Sequence, residues 1–325
     1  MDQSAQRRVP IEPQRVDAPL TSSAVLLTLA LTDVSAGSDS VATVRGVLAD
    51  LEDITKNVAF RDLDAALACT IGIGSAVWDV VTGAPRPAEL HPFREVVGAV
   101  HTAPSTPGDL LVHIRANRRD LCFELERQLL DRLHGAVTVV DETIGFRYFD
   151  ARDLLGFVDG TANPVGDALP AATLVDASDE ADPNAHGGSY LVVQKYVHSL
   201  AAWNRLSTEQ QEAVIGRTKL DNIELADAGA SEQKSHKTLS TITDDAGVEH
   251  DILRDNMPFG SPGHGEFGTY FIGYTARLWV IERMLERMFI GDPPGKHDRL
   301  LDASTALTGG VFFVPPASLL AGLGD

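Results

Sequence analysis

One order of secondary-structure elements runs through this chain twice, and that repeat leaves few folds open. Residues 24–31 form an apolar run of strand length. Val44, Val47, Leu48, Leu51 and Ile54 then recur at three- and four-residue steps, one face of a helix expected over residues 41–58. Strands are expected at 67–73, closed by Gly74, and at 110–114, opened by Gly108. A helix over 121–133 and a strand at 137–140 complete βαββαβ, the ferredoxin-like unit. The second half repeats the order: strand 190–197, helix 200–215, a short strand at 250–253, strand 270–274, helix 279–289 and strand 310–314. Gly108 and Gly268 each open a strand followed by a helix at matching places, although the two halves share little sequence.

The expected fold is therefore α+β: two ferredoxin-like βαββαβ units packed into one compact, barrel-like body. The two sheets face each other, each covering the surface that the other's helices leave bare. The boundaries read as a polar, proline-bearing arm over 1–22, a first unit over 23–150 and a second over 151–325. Residues 164–188, rich in Asp, Ala and Pro, form a loop of the kind that covers or lines a site. The net charge of −19 argues against nucleic acid or an anionic membrane as partner. The apolar run 24–31 falls well short of the ~20 residues of a membrane-spanning helix. Arg7-Arg8 ahead of that run has the look of a twin-arginine signal, but Arg15 and Asp17 interrupt it and no small-residue cleavage site follows. Cys69 and Cys122 have neither metal-knuckle nor redox-pair spacing and read as buried thiols. A cytoplasmic location is expected.

Three stretches carry chemistry. In Gly156-Phe157-Val158-Asp159-Gly160, two glycines allow sharp turns around a carboxylate with apolar neighbours, a setting for a proton shuttle; a turn-capping Asp is the plainer reading. His236, one of ten histidines, sits in the polar stretch Ser235-His236-Lys237, and imidazole is a usual axial ligand of haem iron. In Arg254-Asp255-Asn256-Met257-Pro258, Arg254 and Asn256 share one face of a strand. A buried guanidinium is a fixed positive charge, able to stabilise charge developing on a departing oxygen; a surface salt bridge is the alternative.

Taken in order, Gly156-x-x-Asp159-Gly160, the later His236 and Arg254-x-Asn256-Met257-Pro258 resemble the dye-decolourising peroxidase superfamily. Pro85-Arg86-Pro87 through His91-Pro92-Phe93, Thr106-Pro107-Gly108-Asp109-Leu110 and Gly216-Arg217-Thr218-Lys219 look like its bacterial B-type class, and the likeness spans about residues 23–319. The resemblance implies two ferredoxin-like units, one haem b per subunit and His236 as proximal iron ligand. It implies Asp159, Arg254 and Asn256 on the distal face, with Arg254 also against the cofactor. Arg217 would lie near the haem edge as a propionate partner, and Asp298 would orient the proximal imidazole. Many related sequences carry Glu where this one has Ala162, which puts manganese oxidation in doubt; Glu224 and Glu249 alone make a weaker site for a hard cation.

The reaction so implied is reduction of hydrogen peroxide, with one-electron oxidation of dyes or phenolic donors. Arg254 is expected to be indispensable and Asp159 contributory. Dyes too large to reach a buried haem would deliver electrons through Trp203, Trp279, Tyr196, Tyr270 or Tyr274, which otherwise read as core residues. A haem-handling protein without turnover is the main rival; it would need His236 but not Arg254. Relatives imply a homo-oligomer, dimer or hexamer. Loading into an encapsulin shell is expected only if a targeting tail follows, since the sequence stops at Asp325, soon after Phe312-Phe313.

Overall fold

The computed structural model describes residues 11–324. The first unit contributes β1 (Ser23–Leu31), β2 (Ala68–Gly74), β3 (Leu110–Ala116) and β4 (Val137–Phe146), side by side in the order β4-β1-β3-β2. The second contributes β5 (Ser189–His198), β6 (Leu253–Arg254), β7 (Met257–Ser261), β8 (Glu266–Thr275), β9 (Ser304–Ala306) and β10 (Gly310–Val314). Its order is β10-β5-β8-β6, with β7 continuing on β8 beyond β6 and β9 lying on β5. Taking β6 and β7 as one interrupted strand, the two units have the same strand order.

The sheets face each other as expected. Leu26 and Leu111 of the first pack with Leu191, Tyr270, Tyr274 and Phe312 of the second. Val25, Leu27 and Leu29 point the other way, into the helices. Strand β1 is thus buried on both faces, which is why it reads as a continuous apolar run. An edge contact not legible in the sequence joins the units: β2 pairs with β10, Phe312 opposite Gly74 and Phe313 opposite Ile73. At the far end β7 lies against β4 so closely that a Cβ on Gly145 would sit 2.4 Å from Met257 Cβ. The last strand of each unit therefore meets the second strand of the other, and the body closes like a barrel.

The expected helices form with two breaks. The first divides at Asp50 into α1 (Asp39–Ala49) and α2 (Leu51–Ala59), and Ser38 caps the start of α1. α3 (Arg119–Arg132) is continuous. The stretch 200–215 splits into a turn at Leu200–Trp203 and α4 (Thr208–Ile215), because Ser207 and Gln210 form a reciprocal capping box that starts a new helix. α5 (His236–Ser240) and α6 (Leu278–Phe289) complete the set used here. Strand β7 escapes the sequence reading because Pro258 marks a break; it is tolerated because β7 forms ladder hydrogen bonds with β8 alone among the described residues. Of the polar arm, residues 1–10 lie outside the described residues. Gln14 binds the backbone of Ile71 through both amide atoms (3.0 and 2.9 Å) and the carbonyl of Pro315, and Val16 is buried. That part of the arm thus lies along the β2–β10 join.

Polar groups cross the interior between the units. Arg115 Nη1 donates to Asp255 Oδ2 at 2.7 Å, both side chains wholly buried. His113 Nδ1 lies 2.8 Å from the Tyr274 hydroxyl. Burial, then the charge of Arg115, pushes the His113 pKa from 6.5 down to about 3. Between those values the folded chain keeps His113 neutral while the unfolded chain protonates it. Stability should fall as pH drops through that window, by up to about 1.4 kcal/mol per pH unit from this group. Thermal melts of wild type and His113→Gln from about pH 6 to 4 check this. The variant's Tm should change less with pH, and parallel curves would place the acid sensitivity elsewhere.

Candidate functional site

Two adjoining cavities open on one side of the second sheet. The inner one, about 180 Å³, is lined mainly by apolar groups including Phe157, Ile215, Phe271, Ile281, Met284 and Leu301. The outer one, about 540 Å³, is lined mainly by charged and polar groups. Val158, Asp159, Ile215, His236, Arg254 and Met284 border both.

Asp159 is aimed by its loop. Gly156 and Gly160 adopt φ of +93° and +73°, where a side chain would be strained, and a Cβ on Gly156 would strike Lys219. Arg152 fixes the loop by donating to the carbonyls of Gly156 (2.8 Å) and Lys219 (2.7 Å). Asp159 Oδ1 accepts from Gly160 N at 2.7 Å, as a turn-capping Asp would, and also from Asn256 Nδ2 at 3.5 Å. Asn256 is itself held, its Oδ1 accepting from Ile272 N of β8 at 3.2 Å.

Arg254 and Asn256 do share one face, toward the cavities, and Asp255 between them points inward to Arg115. The other cations around the cavities, Arg217, Lys234, Lys237 and Arg287, each have a carboxylate within 4.0 Å. Among the described residues Arg254 has none. Burial lowers its pKa from the ordinary value, with Asp159 and Asp251 opposing; a guanidinium stays charged nonetheless. Arg217 stands at the outer cavity, paired with Glu224 and donating to the Asn222 carbonyl.

His236 is the first residue of α5, and Ser235 caps that helix. Its Nδ1 donates to Asp298 Oδ2 at 2.6 Å, and Asp298 is wholly buried. The other Asp298 oxygen accepts from Leu300 N at 2.9 Å, so the carboxylate is fixed at both ends. Burial disfavours the charged imidazole, but the charge and hydrogen bond of Asp298 outweigh it, and the His236 pKa is raised. Nε2 makes no hydrogen bond among the described residues, and the ring borders both cavities.

Sequence reasoning assigned no role to Asn163 or Asp153. Asn163 grips the Arg254 backbone through both amide atoms, accepting from its N at 2.9 Å and donating to its O at 2.7 Å. Its only signal was an amide four residues after Asp159 in the same loop. Asp153 Oδ1 accepts from Leu155 N and Phe157 N, and burial raises its pKa to about 6, the charge of Asp159 adding to the effect. The 164–188 loop lines neither cavity; part of it, at Leu169 and Leu174, covers the core between the sheets.

Comparison with known proteins places the whole chain, and with it this pair of cavities, in a family. Residues 14–147 match the model of the Dyp-type peroxidase N-terminal domain, and residues 150–319 that of the Dyp-type peroxidase C-terminal domain. The chain belongs to the Dyp-type peroxidase family. Membership makes it a peroxidase, an oxidoreductase. The dye-decolorizing peroxidase of Mycobacterium tuberculosis (strain ATCC 25618 / H37Rv) is 52% identical over 311 residues, 95% of this chain and 90% of that one. A DypB variant from Rhodococcus jostii RHA1, solved in complex with heme, is 55% identical, with TM-score 0.91 over 96% of this chain and 99% of that one. The encapsulated DyP-type peroxidase of Mycobacterium smegmatis, seen by cryo-EM, is 51% identical, with TM-score 0.90 over 96% and 98%. The Dyp-type fold accounts for the closed pair of ferredoxin-like units. Of the aromatics read as electron relays, Trp203, Tyr196, Tyr270 and Tyr274 are core residues of this peroxidase. Trp279 is half-buried, edge-on to His250 at 4.9 Å, and His250 borders the outer cavity.

Proposed function

We propose that this chain binds haem b in the paired cavities, where His236 Nε2 would hold the iron, and reduces hydrogen peroxide at the expense of dyes or phenolic donors. The observation that carries the proposal is the His236–Asp298 pair facing an apolar cavity that Arg254 also borders. The residues fit the group. The inner cavity is apolar, as a porphyrin requires, and Asp298 accepts the Nδ1–H hydrogen bond, leaving Nε2 for a metal. Haem, when bound, supplies the redox chemistry, oxidised by peroxide and re-reduced by donors one electron at a time.

The chain's own groups do the rest. Asp159, steadied by Gly160 N and Asn256, moves a proton from the near to the far peroxide oxygen. Arg254 stabilises negative charge on the departing oxygen, and having no carboxylate partner it also has charge to offer a haem propionate. Arg217 would trade Glu224 for the other propionate. Trp279, through His250, is our proposed route for electrons from donors that stay outside. We assign no manganese role, because the Ala162 side chain offers no oxygen and Glu224 and Glu249 alone make a weak site for a hard cation. The two unpaired cysteines fit a cytoplasmic setting. No helix among the described residues is long and apolar enough to cross a membrane.

The test is the absorption spectrum of protein supplied with haem, before and after one equivalent of peroxide. Wild type should show a Soret band that peroxide shifts and a phenolic donor restores. His236→Ala should lose or greatly weaken haem uptake. Haem that peroxide only bleaches would favour a haem-handling role, and no uptake by wild type would refute the proposal. Asp298→Asn keeps an acceptor for Leu300 N but removes the charge beside His236. The haem midpoint potential should therefore rise in a spectroelectrochemical titration; an unchanged potential would deny Asp298 its tuning role.

A further inference from the structure

A second cluster of metal-binding side chains lies outside both cavities. His101 Nε2 stands 3.0 Å and His297 Nε2 2.9 Å from the same oxygen of Asp302, Oδ1. One ligand atom from each residue lies within 4.8 Å of the others, and the two rings meet edge-to-face at 4.9 Å. We propose that His101, His297 and Asp302 form a site for a borderline divalent cation, Zn²⁺ foremost, which ties the first unit to the second.

The donor set favours that class of ion. Two imidazoles and one carboxylate suit zinc, copper or nickel, whereas manganese, magnesium and calcium prefer oxygen. The spacing suits it as well: bonds of about 2.0–2.1 Å place tetrahedral ligand atoms about 3.3 Å apart, so each contact needs to open by only a few tenths of an ångström. Three protein ligands leave one position for water.

The ligands are held in place before any ion arrives. His101 lies in the turn between the short strands Val96–Val97 and Thr102–Ala103, and its carbonyl accepts from Gly98 N at 2.9 Å. Gly98 is packed so tightly on the end of α6 that an added Cβ would lie 2.0 Å from the Phe289 carbonyl oxygen. His297 immediately precedes the buried Asp298, whose N–H donates to Met288 O at 2.8 Å. Asp302 keeps its second oxygen on Arg299 Nε, an outer partner that leaves Oδ1 free to face the imidazoles. Binding replaces two N–H donors on one oxygen by a single cation, each neutral imidazole then carrying its proton on Nδ1.

Tag-free holoenzyme, freed of metals with a chelator and titrated calorimetrically with ZnCl₂, tests the site. One Zn²⁺ per chain is expected, with a rise in Tm. His101→Gln and His297→Gln should each weaken binding by at least about a hundredfold, the loss that removal of even an outer partner can cause. His134→Gln, an exposed histidine elsewhere, should leave binding unchanged. An unchanged Soret band and metal-free Tm in each variant exclude misfolding. Absence of binding below millimolar zinc, or binding that survives His101→Gln/His297→Gln, would overturn the proposal.

Discussion

Arg254→Leu should slow the first reaction with peroxide by about a hundred- to a thousandfold, the cost of removing one preorganised donor from a developing negative charge. Each of the other four Lys or Arg side chains around the cavities shares its charge with a carboxylate, so none can stand in for Arg254 without breaking an ion pair. Asn163 holds the Arg254 backbone from both sides, so Leu should enter the same position without moving the strand. The measurement is stopped-flow absorbance of haem-loaded protein mixed with excess peroxide. Asp159→Asn in the same assay should lose less, because Arg254 stabilises charge at every pH whereas Asp159 needs the right protonation state. A variant lacking Arg254 that keeps the parent rate, or an Asp159→Asn that loses more, would reverse the ranking of the two.

Arg115→Met should cost about 3–5 kcal/mol of stability, because it strands a buried carboxylate. Arg115 and Asp255 are both wholly buried and bind at 2.7 Å, and the arginine also donates to the carbonyls of Arg15 and Val16. One pair therefore ties together the arm, the first unit and the strand that carries Arg254. Calorimetric melts are expected to show a Tm about 4–7 °C below wild type. Arg115→Met/Asp255→Leu, which removes both charges, should recover much of that loss. If the double variant melts no higher than the single one, the loss lies in the carbonyl contacts rather than in the stranded charge.

The repeat was legible because apolar periodicity reports burial directly. Strand β1 reads as an unbroken apolar run because its two faces meet different layers, and Gly310–Val314 emerges with the bounds expected of it. Breaks were harder to see. Asp50 and Ser207 interrupt helices whose apolar spacing continues across them, and the capping pair Ser207 and Gln210 is a weaker signal than that spacing. The edge pairing of β2 with β10 left no trace in the sequence, since register between distant strands depends on shape rather than composition. At the site, the motif residues could be singled out and the resemblance pointed to Asp298 behind His236, but the groups that hold Arg254 and Asp255 could not be. Asn163 and Arg115 act through backbone and buried contacts 91 and 140 residues away in sequence, which no local pattern encodes.

The join between β2 and β10 also sets an order of events at the ribosome. Ile73 and Gly74 are made early, and their partners Phe312 and Phe313 belong to the last strand of the chain. At 5–20 residues per second, on the order of ten to fifty seconds separate the two, during which the open edge of β2 has no partner. Asp298, which steadies His236, also emerges only in that closing stretch. The nascent chain can complete its first unit while still tethered, but the barrel closes and Asp298 reaches His236 only after residues 298–313 have been made.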